Sequence, residues 1–140
     1  MTLPNASDLD PATIRVMCAE EMGTYDRWVI IKRGLYYRPN GNGYTSDINQ
    51  AWIVPEEVAN KHAYPHDEPV TVKRAPLPPY EASADAALAL VEKMEAEGYK
   101  SQWHEHVWTF YKPLEAHAAT ALTLALAICR AFLKSRGLAQ

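Results

Sequence analysis

The chain has 140 residues, 48% apolar and 22% charged, and carries a net charge of −3. That length can bury a hydrophobic core without disulfides or metals. The charge argues against broad nucleic-acid or anionic-membrane binding, which needs a basic stripe, and it is too slight for a carboxylate mimic of DNA.

The opening residues, MTLPNASDLDP, have neither the basic nor the apolar region of a signal peptide. Ser7, Asp8 and Asp10 offer helix caps, and Pro11 suits a first helical turn. Ile14, Met17, Cys18 and Met22 then form an apolar stripe that Gly23 stops. Arg27 to Lys32 reads as a strand rich in β-branched and aromatic residues. Arg33-Gly34 makes a two-residue turn, and Leu35 to Arg38 returns. Pro39 to Gly43 is a loop dense in turn residues.

Thr45 or Ser46 is expected to cap a short helix through Trp52, and Pro55 to open another running to about Lys61. From His62 to Glu81 there are five prolines, so this stretch reads as an irregular connection with one strand at Val70 to Lys73. Ser83 caps a helix to Glu97, ended by Gly98, with Ala87, Leu88, Val91 and Met94 inside. Tyr99 to Lys112 alternates without a breaker. At about 3.3 Å per residue it would overshoot a small domain, so a bend or tight turn falls near His104 to His106. Pro113 starts the last predicted helix, with Ala118, Ala121, Leu122, Ala125, Cys129, Phe132 and Leu133 as its core stripe.

The predicted class is therefore α+β, an antiparallel sheet flanked by helices in an ABA-type sandwich. Its strands come from the hairpin and the Trp103 to Tyr111 region, packed by helices at 83–97 and 114–136. A single domain is expected, with helix and hairpin at 8–52, an insertion at 53–78 and a helix–strand–helix core at 79–137. The apolar last helix is expected to lie across the sheet or to pair with its mate in a homodimer, and a homo-oligomer is expected. Polar interruptions in the run from Ala116 to Leu133 argue for a buried helix over a membrane span, so an intracellular protein is expected. Cys18 and Cys129 sit in apolar helical patterns and read as reduced core thiols, a disulfide between their helices being the alternative.

Several segments carry a resemblance: AEEMG (Ala19 to Gly23), PPYEASADAALALVEKM (Pro78 to Met94), ALAICRAFLKSRG (Ala125 to Gly137) and GLYYRPNGNGYTSDINQAW (Gly34 to Trp52). The first three resemble the small phage and prophage proteins of the phage ABA-sandwich domain type, and the last separately resembles a short element common in phage-encoded proteins. The likeness covers most of the chain except Trp52 to Leu77. The resemblance implies a phage accessory gene acting in the cytoplasm of a bacterial host. It carries over no functional residues.

Candidate chemistry is sparse. His104 and His106 would share one strand face, and a third metal ligand would have to come from His62, His66, Asp67, Glu68 or His117. Beside Trp103 and Trp108, packed and hydrogen-bonded histidines are the plainer reading, so no metal is assigned. Ser46, Ser83, Ser101 and Cys129 lack a nucleophile elbow, and Gly41-Asn42-Gly43 is too short for a dinucleotide fingerprint. No catalytic residue and no cofactor is assigned.

Recognition chemistry concentrates in the hairpin, where Arg33, Tyr36, Tyr37, Arg38, Asn40 and Tyr44 are the candidate ligand-binding residues. In the plain reading Tyr36 and Tyr37 point to opposite faces and Arg38 only fixes the turn. In the sharper one, Lys32, Arg33 and Arg38 flank tyrosine rings that stack a base, while N–H groups of Asn40 to Gly43 approach a phosphate. The leading functional expectation is a non-enzymatic protein that binds and inhibits a host factor, such as a defence enzyme, through an exposed aromatic patch. One alternative is a sponge for a small nucleotide signal at the hairpin. Another is a metal protein or small enzyme built on the histidine strand.

Overall fold

The computed structural model describes residues 2–62 and 70–140. His66, Asp67 and Glu68 lie outside the described residues. In chain order the elements are α1 (Pro11–Met22), β1 (Trp28–Lys32), β2 (Leu35–Tyr37), β3 (Tyr44–Thr45), α2 (Glu56–His62) and β4 (Val70–Arg74). There follow α3 (Ala84–Ala96), β5 (Lys100–His104), β6 (Val107–Lys112), β7 (Glu115–Thr120) and α4 (Leu124–Ser135). The class is α+β, and both sheets are antiparallel. The hairpin and the aromatic strands, expected in one sheet, belong to two: β3-β2-β1-β4 and β5-β6-β7. The chain divides into two compact units, Gly23–Pro76 and a discontinuous one made of Met1–Met22 with Leu77–Gln140.

In the discontinuous unit β5, β6 and β7 form a meander. Its first turn is Glu105-His106, both at positive φ (48° and 63°), as a two-residue hairpin turn requires. Its second is Pro113-Leu114, with Leu114 at φ 67°. Phe110 and Ala119 are buried on the face that α4 covers, while Gln102, Tyr111, Ala116 and Ala118 are exposed on the other. Helix α4 starts at Thr123, whose hydroxyl accepts from the Leu126 N–H, and buries Ala125, Ala127, Ile128, Cys129, Ala131, Phe132 and Leu133. Complete burial of a side chain such as Phe132 contributes about 1.5–3 kcal/mol. Helix α3, capped by Ser83, packs on α4 through Ala87, Leu90, Val91 and Met94. Leu90 takes the buried place expected of Leu88, which is 49% exposed. Helix α1 also packs on α4, with Ile14, Cys18 and Ala19 buried and Gly23 ending it at φ 73°.

The predicted last helix is corrected at its start. Residues 115–120 are an edge strand, and Leu122, expected in the core stripe, is 89% exposed ahead of the helix. Alanine-rich EAHAAT has a helical leaning, but six paired positions along β6 and cover from α4 override it.

In the other unit, Arg33-Gly34 joins β1 to β2 with φ 54° and 77°, a turn of the I′ kind. Ile30, Tyr37, Val54 and Ala59 form its core, with Trp28, Trp52, Val58, Val70 and Val72 packed around them. The helix expected from Thr45 to Trp52 is instead strand β3 followed by one 3-10 turn, Ile48–Gln50, capped by the Asp47 carboxylate. The Trp52 N–H donates to the Tyr37 carbonyl at 2.8 Å, which holds this segment extended. Helix α2 and strand β4 stand where Pro55 and Val70 predict them.

Candidate functional site

Register decides which hairpin residues can act together. Lys32 pairs with Leu35 and Tyr37 with Tyr44, so these four side chains share one face of the sheet. Tyr36 pairs with Thr45 on the opposite face. Beyond the core on the first face, Lys32, Arg33, Leu35 and Tyr44 line a cleft of about 160 Å³. Tyr44 is 49% exposed there, and the Tyr37 ring supports it edge-on at 5.3 Å between centroids while being itself buried.

Of the six candidates the fold thus brings Arg33 and Tyr44 to one cleft, with Tyr37 beneath. Tyr36 is turned away, and Arg38 and Asn40 stand on the exposed loop after β2. Asn40 adopts φ 61°, which bends that loop into a closed turn. Three of its N–H groups bond within it: Gly41 N–H donates to the Arg38 carbonyl at 2.9 Å, Asn42 to Pro39 at 3.3 Å and Gly43 to Gly41 at 3.0 Å. Of the four N–H groups expected to approach a phosphate, those of Gly41, Asn42 and Gly43 are therefore spent on the loop itself. Leu35 was not among the candidates. Its signal is an apolar residue at the first position after the turn, 39% exposed beside a lysine.

A second cation–aromatic group in this unit escaped the sequence reading. The Arg74 guanidinium carbon stands 3.9 Å from the Tyr25 ring centre and 4.6 Å from that of Trp28, and Nη1 donates to the Tyr25 carbonyl. The Asp26 carboxylate accepts from both Trp28 Nε1 at 2.8 Å and the Glu56 N–H at 3.0 Å. These contacts tie the end of β4 and the start of α2 to Tyr25–Trp28 and read as structural.

The histidine strand is corrected. His104 ends β5 and His106 occupies the turn, so they do not share a strand face. His106 instead lies edge-on to Trp103, centroids 6.0 Å apart, and Trp103 leans on Trp108 at 6.4 Å. Among the described residues no three metal-ligating side chains come together. The aromatic surface is divided between faces: Trp103 and Trp108 lie on the side of Phe110, and Tyr111 on the other. Leu114 is fully exposed and Leu122 nearly so, at the two ends of β7.

Two polar pairs lie in the discontinuous unit. Glu81, buried, accepts from Arg15, and that guanidinium holds its carboxyl below the usual range. Arg136 forks onto Glu97, Nη1 to Oε1 at 2.7 Å, which lowers the glutamate and raises the arginine. Both cysteines are free and completely buried, and contact with Cys18 together with burial pushes the Cys129 thiol up. No described helix is long and apolar enough to cross a membrane.

The chain matches no protein-family model, no curated protein and no solved structure.

Proposed function

We propose that the protein works by binding, without turnover, and that the hairpin cleft takes a small anionic ligand with a planar ring, such as a nucleotide signal. The supporting observation is a half-exposed Tyr44 ring set beside Lys32 and Arg33 in one concave space. A ring stacked on tyrosine contributes about 1–3 kcal/mol, and the two cations add attraction for phosphate. The volume, about 160 Å³, is below the roughly 300–1,000 Å³ of sites that engulf a ligand. One base or one phosphoryl group would enter while the remainder stays in water. In this reading the protein is a sponge, and the resemblance to phage ABA-sandwich proteins makes it an accessory factor in the cytoplasm of a bacterial host.

Thermal-shift titration with cyclic and linear nucleotides tests the proposal. A ligand at 100 times its Kd stabilises by about 2.7 kcal/mol, which a melting curve resolves. No shift with any nucleotide would remove the sponge reading.

A second reading has its own support. Leu114 and Leu122 are the most exposed large apolar side chains among the described residues, and Trp103 and Tyr111 are over a third exposed. Such residues suit anchoring on a host protein that the chain would then inhibit. Pull-down from host extract with the parent chain and a Leu114→Ser, Leu122→Ser variant tests it. Capture that is equal for both would exclude these anchors.

A further inference from the structure

Along β7 runs a feature the hairpin proposal does not use. The Ala121 N–H donates to the His106 carbonyl at 3.0 Å, so alternate residues from Ala121 back to Glu115 turn their backbone groups toward β6. The carbonyls of Ala118 and Thr120 consequently point outward, along the free edge. Two side chains of α4, one helical turn apart, reach across to them: Arg130 Nη1 donates to Thr120 O and Lys134 Nζ to Ala118 O, each at 2.8 Å.

These cations have no acidic partner among the described residues, whereas Arg15, Lys93, Lys112 and Arg136 of the same unit all meet carboxylates. Arg130 and Lys134, among the described residues, meet only backbone carbonyls. Each has donors to spare, since a guanidinium carries five N–H groups and an ammonium three. Arg130 Nε is out of contact with solvent and has no hydrogen-bond partner. Both side chains border a cavity of about 180 Å³, walled otherwise by Asn5, Ala6, Ser7, Ala119 and Thr120. No acid stands in that wall, and the Asn5 side-chain oxygen is already taken by the Ser7 N–H at 3.1 Å and hydroxyl at 2.8 Å. What the cavity offers is an excess of positively charged donors.

We propose that this cavity is a binding site for a phosphate group, held between the Arg130 fork and the Lys134 ammonium. A tetrahedral oxyanion matches it because its unprotonated oxygens are acceptors, and guanidinium presents parallel N–H groups to two of them. The carbonyl contacts need not break, since the spare donors are those that remain. The phosphate would be either the free ion or the terminal group of a larger molecule.

The experiment reads Arg130 itself, which keeps the outcome separate from that of the hairpin cleft. In uniformly 15N-labelled protein, inorganic phosphate is titrated against sodium chloride at matched ionic strength. The Arg130 Nε–H resonance, assigned by its loss in Arg130→Lys, is followed. The expected result is a saturable shift with phosphate only, and binding roughly tenfold weaker or more in Lys134→Gln, with partial recovery in Lys134→Arg. Because Lys134→Gln also uncovers a strand edge, its spectrum is compared with the parent's for an intact fold. Adenosine 5′-monophosphate binding tighter than phosphate would assign the site to a phosphate on a larger molecule, and equal affinity to the free ion. An Arg130 resonance that stays in place, or follows chloride equally, overturns the proposal.

Discussion

Arg15 and Glu81 meet as a two-pronged pair, Nε to Oε1 at 2.7 Å and Nη2 to Oε2 at 2.8 Å, with the glutamate side chain only 7% exposed. The pair joins α1 to the residues just ahead of α3. Because the folded-state carboxyl titrates below its ordinary value of 4.5, its contribution is complete above that value and is lost as pH falls through the depressed one. We expect Glu81→Gln to cost about 1.5–3 kcal/mol at neutral pH, toward the lower end because Arg15 is a third exposed. The gap between the two melting curves should close in acid. A gap that stays constant from neutral pH to about pH 3 would show that it does not come from the ionised carboxyl.

Ligand binding at the hairpin should depend on Tyr44 and Arg33 far more than on Arg38. From sequence, Arg38 is the natural first target, yet it stands outside the cleft. Tyr44→Ala is expected to weaken nucleotide binding at least tenfold, an effect of about 1.4 kcal/mol, without loss of fold. Arg38→Ala should leave affinity within about twofold. Calorimetry on both variants separates these outcomes, and a large loss confined to Arg38→Ala would move the site to the loop.

Leu122→Asp, which a continuous last helix makes fatal, should be tolerated within about 0.5 kcal/mol, since the side chain is in water. Leu133→Asp, on the buried face of α4, should abolish folding. Circular dichroism and solubility of the two proteins give the answer directly.

Leu114 combines positive φ with full exposure, a poor use of a leucine. In the turn after Pro113 that position favours glycine or asparagine. Leu114→Gly is expected to raise stability by up to about 1 kcal/mol. A fall in Tm would mean that the side chain makes contacts that stabilise the fold.

Neither thiol should react with a mercaptide-forming or disulfide reagent while the protein is folded, and both should react in denaturant. Burial and the raised Cys129 thiol withhold the thiolate that such chemistry needs. Rapid labelling of native protein would indicate opening between α1 and α4.

What the sequence made legible follows its strongest local signals. Gly23, Gly34, Gly98 and Ser83 punctuate the chain where the structure turns or caps. The α+β class follows from those limits. Strand β7 was hidden because an alanine-rich hexamer becomes a strand only through its neighbours. The same masking moved Leu122 from core to surface. At the site, the tyrosines and arginines were visible as a cluster, but register was not. Strand alternation already sets Tyr36 and Tyr37 on opposite faces, but only the pairing shows that Tyr37 is the one that shares a face with Tyr44. Nor does composition reveal that the N–H groups of Gly41, Asn42 and Gly43 are committed to carbonyls of the same loop.

The path of the chain has a consequence for synthesis. Helix α1 leaves the ribosome ahead of α4, against which it packs, and the whole of Gly23–Pro76 and the meander are made between them. At about 5–20 residues per second, Ile14 and Cys18 wait for several seconds without their partners. Docking of the first helix is thus a late event in maturation, completed only once α4 has been made.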